Sequence, residues 1–296
     1  MVPAHRYAAH DILVDPARQR PEIWRILAGI ALIVTLVIAF NLLLNAALFQ
    51  FVPDAWGPET SMGSTPFTLM VLLGSFIFIS LAVAVTARQL HARSLSSVLG
   101  PISWAIRDFF RVLAGLVVLG VALWILPPWG FGIELSPNLP PATWLVLLPL
   151  SIFVLLIQTS AEEILFRGYL QQQLAARFAH PVIWMGVPSA LFAFGHYLPA
   201  EAGPNAWVIA VWSGLFGLLM ADLTARAGSL GPAIAVHFAN NFSALLIVSL
   251  PDSLNGLALY TVPFTASDPD AIRTWMPVDF ATMIVSWLVA RLAIRR

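Results

Sequence analysis

The chain of 296 residues has no Cys and no Lys, and 10% of its residues are charged. The missing thiols exclude a disulfide scaffold, a thiolate zinc site and a Cys nucleophile. The missing lysines leave 15 arginines against 15 acidic residues at zero formal charge, so there is no basic footprint for nucleic acid. Water-soluble domains carry about 25% charged and about 45–50% apolar residues. Here 59% are apolar, which excludes a freely soluble fold.

What is present is a series of long apolar runs. A spanning helix needs about 20 mostly apolar residues to cross about 30 Å of hydrocarbon, and about eight runs qualify: 23–49, 67–87, 109–126, 143–170, 181–198, 206–224, 230–250 and 278–294. The expected fold is therefore all-α, a polytopic membrane helix bundle. The polar stretch 1–22, with His5, Arg6, Asp11, Asp15, Arg18 and Arg20, precedes a first run too long for a signal peptide's apolar core. That run is expected to be a retained helix. Placing 1–22 in the cytoplasm puts every Arg except Arg273 at or near the cytoplasmic side, as the excess of basic residues in cytoplasmic loops requires. The expectation is a multi-pass protein of a prokaryotic plasma membrane, with both termini cytoplasmic and the lipid bilayer as its surroundings. The loops 52–66, 127–142, 199–205 and 251–277, which include Glu59, then lie outside. Segment 89–111 mixes arginines with Leu95, Val98, Leu99 and Ile102 and reads either as an amphipathic interfacial element or as ordinary loop. Residues 23–142 carry no motif, and 251–296 form an outer loop and the last helix.

Ionisable residues inside the fourth, fifth and seventh runs need a reason, since each costs about 2.5 to 3.5 kcal/mol on insertion scales. In the fourth run, Glu163 and Arg167 are four apart and share a helical face in the favourable order. Glu162 points about 100° away and is left for other work. A solvated salt-bridge cluster at a helix end, or a carboxylate–arginine pair in a transporter, are the competing readings. The fifth run ends in Phe192-Ala193-Phe194-Gly195-His196. If the fourth helix continues unbroken to Phe178 and turns at 179–181, His196 comes level with Glu162 on an antiparallel neighbour at about 1.5 Å rise per residue. The seventh run places His237 and Asn241 on one helical face, for function or for hydrogen-bonding glue between helices. The histidines at 5, 10, 91 and 180 lie in polar or loop sequence and are not assigned a role.

A Glu, two His and an Asn at membrane depth are an inventory for activating water. Glu162 can serve as general base and His196 can orient the water. His237 and Asn241 can donate to the oxyanion formed when water attacks a peptide carbonyl, and Glu163 with Arg167 can support them. Glu162, His196 and His237 also suit a catalytic zinc, although the helical His-Glu-x-x-His signature is absent. A Ser protease reading fails on Val211-Trp212-Ser213-Gly214, which lacks the first Gly. An aspartyl reading fails because Asp222 has Arg226 four residues on as its natural partner.

The ordered set Glu162-Glu163-x-x-x-Arg167, Phe192-x-x-x-His196 and His237-x-x-x-Asn241 resembles the CPBP family of CAAX proteases and bacteriocin-processing enzymes. The similarity covers roughly 145–250 and includes Phe166-Arg167-Gly168-Tyr169-Leu170 and Gly228-Ser229-Leu230-Gly231-Pro232. It marks 143–250 as a CPBP-like catalytic core. What it implies is an intramembrane endopeptidase with a site open towards the cytoplasm and a membrane-associated peptide or protein as substrate. Glu162 and His196 would activate the water, His237 and Asn241 would form the oxyanion hole, and Glu163, Arg167 and Phe192 would support them. No cofactor is expected in this reading, with zinc as the alternative. Eukaryotic members act on prenylated CAAX proteins, whereas bacterial members serve varied ends, so a non-proteolytic immunity or scaffold protein of the same fold is the second implied role.

Overall fold

The computed structural model describes residues 7–57, 63–126 and 133–295. His5, Arg6, Glu59 and Arg296, which enter the topology reading, lie outside them, as do parts of the loops 52–66 and 127–142. The fold is all-α, with 79% of the described residues helical. Its apolar helices are α1 (Ile23–Phe51), α2 (Pro66–His91), α3 (Ile102–Ile125), α4 (Pro141–Arg177), α5 (Pro181–Gly195), α6 (Ala206–Ala227), α7 (Gly231–Ile247) and α8 (Pro269–Ile294). Among the described residues six are long and apolar enough to cross a membrane, α6 being counted with the turns from Pro199 onwards, while α5 and α7 are shorter. The chain is thus a multi-pass integral membrane protein, and each expected run corresponds to one helix.

Local chemistry sets the helix boundaries. Proline occupies the first turn of α2, α4, α5, α7 and α8, where its missing N–H removes no helical bond. The Thr65 hydroxyl accepts from the Thr68 N–H to cap α2. The Asp268 carboxylate accepts from the Asp270 and Ala271 N–H groups at 3.1 Å to cap α8. Helix α6 stops at Gly228, whose φ of 68° is left-handed, and a Cβ there would sit 2.6 Å from the Ala9 carbonyl oxygen. Only glycine meets both demands.

Helix α4 positions the site. It runs without a break through Pro149, but Ile164–Leu170 is a π-helical stretch before the α-helix resumes at Gln171–Arg177. The expected continuous helix therefore exists, with a wider turn immediately after Glu163, a device common at functional sites. Gly168 lets this turn approach the connector from α2 to α3, since a Cβ there would meet Val98 Cγ1 at 2.6 Å. Helix α7 is buried from Gly231 to Phe238 and packs against α3, α4 and α6. At the end of the bundle where α3 finishes and α4 begins, a small sheet ties the loops together. Its central strand β3 (Tyr260–Thr261) pairs antiparallel with β1 (Ser136–Pro137) and parallel with β2 (Val248–Ser249).

Two polar segments are more deeply embedded than their composition suggests. The connector 92–101 packs into the protein and contains a short helix in place of plain loop. Its short helix Leu95–Leu99 buries Val98, and the buried Arg93 donates from Nη2 to the Leu13 carbonyl at 3.2 Å and to Gln172 Oε1 at 2.6 Å. The segment before α1 forms helical turns over Ala8–His10, Asp11–Val14 and Asp15–Gln19 and buries His10, Leu13, Val14 and Ala17. Nor are His10 and His91 loop residues. His91 is fully buried, donating from Nδ1 to the Arg20 carbonyl at 3.2 Å and accepting from the Tyr169 hydroxyl at 2.9 Å. The His10 ring packs on Trp184 at 4.7 Å between centroids.

Burial pushes the His10 imidazole from its ordinary 6.5 down to about 4, with Asp11 opposing and Arg18 assisting the shift. Its neutral Nε2 accepts from Gln171 Nε2 at 3.3 Å, so a proton there would set donor against donor. Because the folded value lies below the unfolded one, the stabilisation from this packing is complete above pH 6.5 and is lost as the pH falls towards about 4. Thermal melts between pH 8 and pH 4 are expected to show an acid-side drop that His10→Phe reduces. An identical drop in the variant would contradict this assignment.

Candidate active site

The three motifs meet where α4 enters its π turn. Glu163 is fully buried, and its Oε1 accepts two bonds, from Arg167 Nη1 at 3.0 Å and from His237 Nδ1 at 2.8 Å. The ion pair expected from the four-residue spacing is present, with the Arg167 side chain 2% exposed. Removing two charges from water is costly unless they are paired and hydrogen-bonded, so the pair and the third bond from His237 stand or fall together. Glu162 turns to the other ring nitrogen, with its Oε2 3.4 Å from His237 Nε2 and its side chain 14% exposed. His237 is thereby held between adjacent carboxylates, with its Nδ1–H committed to Glu163 and its Nε2 directed at the more accessible one.

His196 caps α5, where its Nδ1 lies 2.8 Å from the Phe192 carbonyl oxygen. A carbonyl only accepts, so Nδ1 carries the hydrogen and Nε2 presents a lone pair. The two histidines share an aromatic wall. Phe192 lies 4.4 Å from the His196 ring and 6.2 Å from the His237 ring, centroid to centroid, and Phe216 lies 5.2 Å from His237. The Arg167 guanidinium sits 4.9 Å over Phe192, so one aromatic ring touches side chains from all three motifs.

His196, read from the register as level with Glu162, makes no ion pair with either carboxylate among the described residues, and the imidazole paired with them is that of His237. The reason is the helix end. Helix α5 finishes at Gly195, and His196 turns back onto its own carbonyl. Asn241 does not bond His237 directly. Its Nδ2 donates to Gln158 Oε1 at 2.9 Å, and its Oδ1 accepts from Asn240 Nδ2 at 3.1 Å. Gln158, Asn240 and Phe216 are site neighbours that motif reading omits. Gln158 lies four residues before Glu162 on the same helix, a spacing that places it on that face.

Asp222 is saturated elsewhere. It accepts from Arg226 Nε at 2.9 and 2.8 Å, from the Tyr7 hydroxyl at 2.8 Å and from Trp287 Nε1 at 3.1 Å, which leaves it no part in an aspartyl site. Among the described residues no three His, Cys, Asp or Glu side chains converge as a group able to hold a metal ion.

Comparison with known proteins bears on the same segment. The uncharacterized protein YyaK of Bacillus subtilis (strain 168) is 26% identical over an alignment of 198 residues that covers 63% of this chain and 64% of that protein. No solved structure matches. Residues 143–243 match the family model described as type II CAAX prenyl endopeptidase Rce1-like. The matched segment contains Glu162, His196, His237 and Asn241, so the helical unit that carries them is the part of the chain similar to an Rce1-like domain of the CPBP family.

Proposed function

We propose that the protein is an intramembrane endopeptidase of CAAX-protease type that hydrolyses a peptide bond of a membrane-associated substrate with directly activated water. The observation that carries this reading is His237 fixed between Glu162 and Glu163, with Arg167 closing the cluster. Two carboxylates and one guanidinium leave one negative charge. A single proton between His237 Nε2 and Glu162 Oε2 brings the group to neutrality, the condition that makes such a cluster tolerable in hydrocarbon. With that proton on His237, Glu162 is a free base and His237 Nε2–H a donor.

In this mechanism Glu162 takes a proton from water, which His196 Nε2 helps to orient. The hydroxide adds to the scissile carbonyl carbon, and the new oxyanion accepts from His237 Nε2–H and from an Asn241 N–H. Collapse breaks the C–N bond, and the proton held by Glu162 passes to the leaving amine. Oxyanion donors of this kind contribute about 2.7 to 4 kcal/mol each. Glu163 and Arg167 hold the imidazole, and no step requires a metal. The protein reconstituted in liposomes with a membrane-tethered peptide is expected to cleave it in the presence of chelator. Hydrolysis in 18O-water should place label in the new carboxyl group, and hydroxylamine should trap no acyl-enzyme. Loss of cleavage in chelator that zinc restores, or a trapped acyl-enzyme, would overturn the proposal.

A further inference from the structure

Polar side chains in the apolar helices of this protein generally fold back on their own backbone. Asn41 Nδ2 donates to the Val37 carbonyl at 2.9 Å and Asn45 Nδ2 to the Asn41 carbonyl at 2.8 Å. The hydroxyls of Ser151, Thr159 and Ser189 likewise donate to carbonyls four residues back. This local bond is the default for a short polar side chain on a helix without water. Asn241 departs from it, because its amide donates across to Gln158 on α4 and accepts from Asn240.

Resting on the function proposed above, we infer that Gln158 is a positioning residue for the hydrolysis and acts through Asn241. Gln158 is 6% exposed, and a buried amide needs a partner to offset its desolvation. The bond from Asn241 supplies one. With Oδ1 engaged by Asn240 and one N–H engaged by Gln158, the Asn241 carboxamide is fixed in plane and direction, and its second N–H is available to the oxyanion. Without Gln158, Asn241 is expected to rotate to the His237 carbonyl four residues back, as Asn41 and Asn45 do on α1, and the donor leaves the site. The link joins α4, which carries the base, to α7, which carries the oxyanion donors, so it also sets the distance between them.

The test uses the full chain in liposomes with the membrane-tethered peptide. Gln158→Met, close in volume and without the acceptor, is expected to lower kcat about tenfold to a hundredfold, part of the about 10²–10³ that loss of an oxyanion donor costs, with KM unchanged. In an Asn241→Ala background the same substitution should change kcat less than about twofold, because linked residues give non-additive effects. Should the Met variant not fold, Gln158→Asn, whose shorter arm loses the contact, carries the same expectations. Wild-type kcat in a folded Gln158 variant, while Glu162→Gln is inactive, would overturn the role of Gln158 and leave the peptidase reading standing. An equal loss in the Asn241→Ala background would also overturn it, since Gln158 would then act on the bundle at large. Full activity of Glu162→Gln would instead overturn the function on which the inference rests.

Discussion

Glu162→Gln is expected to lower kcat by about 10²–10⁴-fold, the range that a positioned general base contributes, while the protein folds as before. The substitution keeps the shape of the side chain and removes the proton acceptor. Stability should be nearly unchanged because the structural load lies on the neighbouring residue. Glu163 is fully buried and accepts from both Arg167 and His237, whereas Glu162 keeps 14% of its side chain exposed and makes one contact at 3.4 Å. The pairing of a large rate effect with a small stability effect is the signature of a base. Initial rates and thermal melts on the same reconstituted sample check it. Full activity, or loss of activity together with loss of fold, would contradict the assignment.

Arg167→Met is expected to show the opposite pairing, a destabilisation of about 3–5 kcal/mol, the cost of breaking a buried ion pair by removing one partner. Glu163 has no exposure and Arg167 side-chain exposure is 2%, so solvent does not take the place of the lost cation. Glu163→Gln combined with Arg167→Met removes both charges and should recover much of that stability, because no unpaired ion remains. Activity should stay low in the double variant, since the carboxylate that fixes His237 Nδ1 is gone. Equilibrium unfolding in detergent reads the difference, and equal instability of the single and double variants would contradict it.

Much of the bundle is legible in the sequence because hydrocarbon tolerates few alternatives. A membrane segment must satisfy its own backbone, so a long apolar run becomes a helix, and each run has its helix here. The exceptions lie where polar residues are buried through partners distant in sequence. By composition the fourth run ends at Leu170 because Gln171, Gln172 and Gln173 follow, yet all three are fully buried and α4 continues to Arg177. Gln171 Nε2 donates to His10 and to the Ala221 carbonyl, and Gln172 is paired with the Val98 carbonyl and Arg93, whereas the Gln171 oxygen and the Gln173 amide have no hydrogen-bond partner among the described residues. The segment before α1 and the connector after α2 read as polar for the same reason. Composition records polarity, whereas burial depends on who meets whom.

In the site, the pair Glu163–Arg167 follows from spacing on one helix, and its geometry is as the periodicity implies. Contacts between helices do not follow. The π turn after Glu163 is not foreseen from the sequence, and neither is the turn of His196 back onto the Phe192 carbonyl at the end of α5. Among the described residues the imidazole paired with Glu162 is that of His237, at 3.4 Å. Gln158 was within reach of sequence reasoning by its position one turn before Glu162, but its importance rests on the amide it meets on α7.

The most direct test is a high-resolution structure of the protein with a peptidyl phosphonate, whose tetrahedral oxygens stand in for the oxyanion and the attacking water. One oxygen is expected within about 3.2 Å of both His237 Nε2 and Asn241 Nδ2, and a second within that distance of Glu162, the hydrogen-bond range for groups that act on the reacting atoms. An analogue bound away from α4 and α7, or one touching His237 while Glu162 and Asn241 stay beyond reach of a single bridging water, would contradict the account.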